Sequence, residues 1–188
     1  MHMRRLALIM GLAFTVASGA VYAQQHMPDQ HGPEINISIG SALKGRANDF
    51  GPRELDYLRD DLRDSVSRAF AHARNVPARV DLVIEDATPN RPTFAQLSRN
   101  VGLSMESIGL GGARVSGAVV GPDGASRPVR YQYFETDLRN DRGAITWSDA
   151  DRTFMMLADE LAHGHVPDRY IGPGPQPNGG HFGYPYSS

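Results

Sequence analysis

Apolar and polar residues alternate strictly over residues 35–39, which predicts a half-buried β-strand at the start of the folded part. Residues 79–85 (RVDLVIE) repeat this pattern, and two further strands are expected over 114–120 and 127–136. The last two strands are separated by Pro122-Asp123-Gly124, whose Asp-Gly pair is a strong hairpin signal. The sequence therefore predicts four strands.

A period of three to four residues replaces the alternation in two places. Over 53–74 the apolar side chains form one stripe and the charged ones the opposite face, with Pro52 where a helix accepts proline in its first turn. A second amphipathic helix is expected over 148–163, with Ser148 as its N-cap and Gly164 as its stop. The pattern therefore predicts two long helices.

The order strand, long helix, strand predicts a βαβ crossover with its two strands parallel. Each strand has one apolar and one polar face, so the sheet needs helices on one side only. We therefore predict an α/β (α+β) fold: a two-layer sandwich in which helices 53–74 and 148–163 cover one face of a four-stranded mixed sheet. Residues 40–51 are expected to form a loop and 94–100 a short helix.

The first 23 residues have the organisation of a secretory signal peptide. Arg4 and Arg5 precede a short apolar run over 6–17, and small residues lead to a cleavage site after Ala23. The run is shorter than the roughly 20 residues that cross a bilayer core, and an uncleaved anchor is the alternative. We expect a periplasmic protein without a transmembrane span after cleavage.

The remaining chain divides into three parts. Residues 24–34 are polar and are expected to be a flexible lead-in, followed by a single α/β domain over 35–166. Residues 167–188 are rich in Gly, Pro and Tyr without helical or strand periodicity, which predicts a disordered tail.

Composition excludes several classes of function. The 188 residues contain 19 basic and 21 acidic side chains, a formal net charge of −2, so we expect no nucleic-acid partner. Cysteine is absent, which excludes disulfides, thiolate metal ligands, thiol nucleophiles and a lipid-modified N-terminal cysteine. An exported protein of this kind must be held together by its core.

Three segments together resemble a group of uncharacterised bacterial cell-envelope proteins, many of them lipoproteins. They are the PNRPT loop at 89–93, the Gly-rich SIGLGGA segment at 107–113 and the Trp-Ser-Asp sequence at 147–149 that opens the last helix. The resemblance covers about 79–162. It implies a small α/β envelope domain and no particular reaction, and the missing cysteine departs from the lipoprotein members.

Arginines supply the candidate binding residues. Arg91 in the PNRPT loop, with Arg114 and Arg130 on the polar sheet face, has the chemistry of a small anion or partner site. The alternative for Arg91 is that it holds its loop through hydrogen bonds to backbone carbonyls. Val83 and Phe134 point to the polar side, where they are expected to be surface residues or part of a partner contact.

Other candidate chemistry is weak. His163 and His165 are a close pair, but a metal site needs a third ligand, and histidines also suit a helix C-terminus. The adjacent acids at 60–61 and 159–160 diverge on their helices, so neither pair converges on one atom. The sequence assigns no catalytic residue, no metal and no cofactor.

Three hypotheses of function follow. The first is a non-enzymatic periplasmic binding or envelope-assembly module, whose partner is an envelope protein bound at the polar sheet face, the tail or an edge strand. The second is a periplasmic hydrolase with a site near the PNRPT loop and the Gly-rich turn. The third is a structural subunit of a homo-oligomer.

Overall fold

The protein folds around a four-stranded sheet with helices packed against it. The computed structural model describes residues 32–141 and 144–175, so the predicted signal peptide, most of the lead-in and the last part of the predicted tail lie outside the described residues. The elements are β1 (Glu34–Ile39), α1 (Ser41–Gly45), α2 (Ala47–Phe50), α3 (Pro52–Phe70), β2 (Arg79–Thr88), α4 (Phe94–Arg99), β3 (Gly112–Val120), β4 (Ser126–Phe134), a 3-10 turn (Leu138–Asp141) and α5 (Ser148–Ala162).

The sheet has the order β1-β2-β3-β4 and is mixed. β1 pairs parallel to β2, with Ile37 opposite Leu82, whereas β2, β3 and β4 are antiparallel neighbours. The hairpin between β3 and β4 closes with Gly124 at φ +79°, a left-handed conformation that favours glycine. The predicted α+β fold with a four-stranded mixed sheet is confirmed.

The core lies between one sheet face and the two long helices. α3 packs against α5 and β1, and α5 packs against β3 and β4. The buried positions keep the predicted periods, three to four in the helices and two in the strands. The fully buried side chains include Leu58, Leu62, Val66, Val80, Leu82, Ile84, Val115, Phe154 and Leu157.

Two local predictions need correction. Residues 40–51 contain the short helices α1 and α2, which bury Leu43 and Phe50. Ser148 is the first residue of α5, and Trp147 occupies the N-cap position without a capping side chain. Ser148 Oγ instead accepts from the Ile145 N–H at 2.8 Å, in the turn before the helix. A capping box is present at α4, where Thr93 and Gln96 bond reciprocally.

The end of α5 is closed by its backbone. The Gly164 N–H bonds to the carbonyl of Leu161 at 3.0 Å and the His165 N–H to that of Glu160 at 2.9 Å. Gly164 has φ +80°. These two bonds form a Schellman motif, so the predicted stop at Gly164 is confirmed.

The chain after α5 lies against the sheet. Asp168 forms an isolated parallel bridge with Arg130 of β4, and the Arg130 N–H donates to the carbonyl of Pro167 at 2.7 Å. Gln132 Nε2 donates to the carbonyls of Gly172 and Pro173 at 3.0 and 3.1 Å. Residues 167–173, placed in the tail by the sequence, therefore follow β4 and the polar sheet face.

Phe134 differs from its predicted surface position. It is 4% exposed yet is not part of the main core cluster. Ile108 of the Gly-rich segment is likewise buried outside that cluster. Val83, the other apolar residue directed to the polar side, is half-buried.

Candidate functional site

The PNRPT loop, the Gly-rich segment and the start of α5 meet at one buried hydrogen-bond network. Asn90 Nδ2 donates to Asp149 Oδ2 at 2.5 Å, and the Asp149 N–H donates to Asn90 Oδ1 at 3.0 Å. Asp149 Oδ2 also accepts from the Gly111 N–H at 3.2 Å. The Asn90 backbone bonds to Thr146 and Gly109. The network fastens the PNRPT loop to the Gly-rich segment and to the start of α5.

Arg91 holds the same loop from its other side. Its Nε donates to the Ala144 carbonyl at 2.5 Å and its terminal nitrogen to the Met105 carbonyl at 3.0 Å. Both partners are backbone carbonyls. These contacts are the ones expected if Arg91 holds its loop through hydrogen bonds to backbone carbonyls, rather than binding an anion.

Arg114 and Arg130 lie on the polar sheet face and contact the chain that follows α5. The Arg114 guanidinium lies 4.9 Å from the centre of the Tyr170 ring, and its Nε donates to Gln132 Oε1 at 2.9 Å. A terminal nitrogen of Arg130 donates to the Asp168 carbonyl at 3.3 Å. The two arginines share a sheet face, as predicted, but their present contacts are intramolecular, and Arg91 is engaged in its own loop.

The two edges of the sheet differ in how they are protected. At β4 the outward backbone groups belong to even-numbered residues, because the Arg130 N–H points outward to Pro167. Pro128 shares this parity and has no N–H, which removes one donor from the edge. Proline, a bound segment and charged side chains are the usual devices that keep an edge strand from pairing with other chains.

β1 has fewer of these devices: Glu34, its first residue, is charged, and Arg63 of α3 lies beside Ile37 and Ser38. Its even-numbered residues point toward β2, as the bonds from Glu34 N–H to Ala78 and from Gly40 N–H to Ile84 show. The alternation directs the backbone groups of Ile35, Ile37 and Ile39 outward. Between residues 35 and 39 there is no charge, proline or bulge. Among the described strands, β1 is the edge that remains open to pairing.

A shallow hollow of about 370 Å³ adjoins this edge on the polar face. Its lining includes Asn36, Ser38, Asp81 and Val83, with Arg63 of α3 beside them. Asn36 Nδ2 donates to Asp81 Oδ1 at 3.0 Å. The edge therefore presents backbone groups beside a surface of polar and small side chains.

An acid pair that sequence reasoning missed lies between the two long helices. The carboxyl groups of Asp61 in α3 and Asp151 in α5 are close enough to interact electrostatically, and the Tyr57 hydroxyl donates to Asp151 Oδ2 at 3.2 Å. Asp61 Oδ2 and Asp151 Oδ1 are both buried, and neither has a hydrogen-bond partner among the described residues. Because two carboxylates only accept, they can hydrogen-bond each other only when one of them holds a proton.

Protonation of Asp151 is favoured by its surroundings. Burial raises the pKa of Asp151 to about 7, and the negative charge of Asp61 adds to the effect. Burial also raises the pKa of Asp61, although the positive charge of Arg68 opposes this. Tyr57 has a pKa of about 12, because of its own burial and the charge of Asp151. The raised pKa of Asp151 therefore brings its titration close to neutral pH.

His163 and His165 each contact an acid of α5. His163 Nδ1 lies 2.8 Å from the Asp159 carbonyl oxygen and 3.4 Å from its Oδ1. His165 Nδ1 contacts Glu160 Oε2. Across residues 32–141 and 144–175, no group of three or more His, Asp or Glu is arranged to hold a metal ion. The two histidines end a helix, where positive charge is favoured.

The described elements form a small α+β domain with a four-stranded mixed sheet. No family model matches the chain, and neither curated proteins nor solved structures give a match. No helix within the described ranges is long and apolar enough to cross a membrane.

The sequence did not indicate that Asp61 and Asp151 meet, because they belong to helices far apart in the chain. The sequence did predict the two amphipathic helices that carry these acids, and it predicted that both helices pack on one face of the sheet. A search for acids at helix positions flanking the apolar stripes would have found them as candidates. Their proximity depends on how α3 and α5 pack.

Proposed function

We propose that this protein is an exported, non-enzymatic binding and assembly module of the cell envelope that acts by adding a strand at β1. In this mode an extended segment pairs its backbone with an open sheet edge, and adjacent side-chain pockets give selectivity. The observation that carries the proposal is the outward backbone of Ile35, Ile37 and Ile39, in a stretch of edge strand without charge, proline or bulge.

The contrast with β4 supports this choice of edge. The same chain protects β4 with Pro128 and with the bond from Arg130 to Pro167, while β1 keeps three neutral isoleucines. An unprotected edge strand is a hazard for aggregation unless pairing is its role. Strand addition is therefore the function that the geometry of this sheet favours.

Export and residence in the periplasm are part of the proposal. They rest on the basic, apolar and small-residue order of the first 23 residues. The resemblance of the segments at 89–93, 107–113 and 147–149 to envelope proteins points the same way.

The loops near the PNRPT segment support a hydrolase less well. Asn90, Asp149 and the Gly111 N–H bond one another, and Arg91 bonds to backbone carbonyls. A catalytic site needs polar groups directed at a substrate. The polar groups of this network bond one another, as expected for a network that stabilises the fold.

Photocrosslinking in cells tests strand addition. A benzoylphenylalanine replaces Ser38, an exposed serine on β1, and in a matched control it replaces Ser126, an exposed serine on β4. Both side chains point to the polar face beside an edge. We expect protein adducts from position 38 and few from position 126. Equal adducts from both positions, or none from position 38, would refute the proposal.

A substitution that removes one backbone N–H from the β1 edge provides the second test of strand addition. Ile35→Pro removes an outward N–H and leaves the ladder bonds to β2 intact, since those come from even-numbered residues. Ile35→Val keeps the N–H and the branched side chain and serves as the control. The adducts at position 38 should fall with Ile35→Pro and persist with Ile35→Val, while circular dichroism shows both variants folded.

A further inference from the structure

We infer that the strand which β1 accepts is β1 of a second copy of this chain, in antiparallel orientation with Ile37 opposite Ile37 of that copy. This inference rests on the proposed function of the β1 edge and names its occupant. The two sheets would then join into one of eight strands, related by a two-fold axis through the centre of the new pair.

The outward backbone groups select this register. In an antiparallel pair, opposite residues with outward groups exchange two hydrogen bonds. Centring on Ile37 places Ile35 opposite Ile39, so all three outward residues of each copy are paired. Centring on residue 36 instead would oppose Ile39 to Pro33, which has no N–H. Centring on residue 38 would require Ser41, which already belongs to α1.

The side chains are self-complementary in this register. On the helix side isoleucine meets isoleucine, and Ile35 and Ile39 are half-buried side chains at the margin of the core. On the polar side Asn36 meets Ser38, two neutral and exposed residues. Cross-strand pairs of β-branched residues stabilise a sheet, and like charges directly opposite one another destabilise it. No charged residue lies between 35 and 39 in either copy.

The charges around the axis are compensated. Arg63 lines the hollow beside Ile37 and Ser38, and its terminal nitrogen lies 3.2 Å from Asp60 Oδ1. Glu34, just before the paired residues, accepts from Asn36 Nδ2 at 3.1 Å and falls opposite Gly40 of the second copy. The formal net charge of −2 gives little repulsion between whole chains. An unrelated partner strand would have to match this neutral isoleucine face, whereas a second β1 matches it by symmetry.

The expected association is reversible. The centred register forms about six backbone hydrogen bonds, and the isoleucine contact is small, so the dimer belongs to the weak interface class with a dissociation constant in the micromolar range. Sedimentation of the full chain should show a monomer–dimer equilibrium. Ile35→Pro should raise its dissociation constant about tenfold or more, because one outward donor is lost per copy, and Ile35→Val should leave it unchanged.

Cysteine trapping tests the register, since the chain has no cysteine of its own. Opposite residues of the non-hydrogen-bonded class lie about 4.5 Å apart at Cα, within the range of a disulfide, whereas the diagonal neighbours are about 7–8 Å apart. A mixture of Asn36→Cys and Ser38→Cys chains should form the mixed disulfide dimer on mild oxidation. Each variant alone should form little, and Ser126→Cys on β4 is the matched control.

The outcomes separate this inference from the proposed function. A mixed disulfide together with a concentration-dependent dimer supports both. Homodimers of Asn36→Cys alone or Ser38→Cys alone, at the yield of the mixture, overturn the centred register. If no disulfide forms and sedimentation shows only monomer, the second copy is refuted. In that case, adducts of a different protein at position 38 would still support strand addition at β1. If no adducts form there either, strand addition is refuted together with the second copy.

Discussion

Asn90 and Asp149 bond to each other in both directions, with the side chain of Asn90 donating to the carboxylate and accepting from the Asp149 N–H. Asn90 is fully buried and Asp149 is 4% exposed. Through this pair the PNRPT loop is fixed to the first turn of α5. The relationship explains why three separated sequence segments act as one structural unit.

Replacing Asn90 should destabilise the whole domain. Asn90→Ala leaves the Asp149 carboxylate and its N–H buried without the partner that they now share, and such groups cost about 1–3 kcal/mol each. We expect the free energy of unfolding to fall by about 2–4 kcal/mol in urea titrations. Asn100→Ala, at the exposed end of α4, is the control and should change it by less than about 1 kcal/mol. Equal losses in both variants would contradict the role of the network.

Arg91 should matter for local order rather than for binding. Its two nitrogens reach two different carbonyls, Ala144 and Met105, and a lysine cannot reproduce this fork. We expect Arg91→Lys and Arg91→Ala both to lower stability by about 1–2 kcal/mol. Amide hydrogen exchange around residues 101–106 should accelerate in both variants. Restoration of normal exchange by lysine would show that charge alone is required.

The Asp61–Asp151 pair predicts a pH dependence of stability. The pKa of Asp151 is about 7 in the folded protein and near 4 when unfolded, so the folded state holds the additional proton between these values. This contribution is fully present below about pH 4 and is lost as the pH rises through about 7. We expect a loss on the order of 1 kcal/mol, because both groups retain solvent contact.

Substitution isolates that contribution. Asp151→Asn can donate to Asp61 at any pH, so the difference in unfolding free energy between pH 5 and 8 should become smaller than in the unchanged protein. Asp56→Asn, on the exposed face of α3, should keep the original difference. The lowered pKa values of Asp81 and Asp137 act at more acidic pH and do not enter this interval. An unchanged profile in Asp151→Asn would refute this origin of the pH dependence.

The docking of residues 167–173, which follow α5, on the polar sheet face should depend on Gln132. This side chain donates to the carbonyls of Gly172 and Pro173, and Arg114 lies over Tyr170. Gln132→Ala should release the segment from the polar face and speed tryptic cleavage after Arg169 several-fold. Cleavage after Arg68, within α3, is the internal control and should not change. Equal acceleration at both arginines would indicate general loosening of the domain.

The sequence also predicted some features of the candidate site. It placed Arg114 and Arg130 on one sheet face, because alternation sends residues of equal parity to the same side. It also offered backbone anchoring as one role of Arg91. It missed that the chain beyond α5 covers part of that face, since a Gly- and Pro-rich segment has no periodic signal and its position depends on contacts with a distant strand.

By itself the sequence determined the four strands, the two long helices, the hairpin and the α+β class. These follow from periods of two and three to four residues and from glycine and proline positions, which are local properties of the chain. Only the tertiary structure decided that Asp61 lies beside Asp151 and that Asn90 hydrogen-bonds to Asp149. It also decided that the chain after α5 pairs with the β4 edge, whereas the β1 edge has no such neighbour among the described residues. Each of these depends on the packing of elements remote in sequence, where burial and hydrogen-bond geometry, rather than local pattern, fix which groups meet.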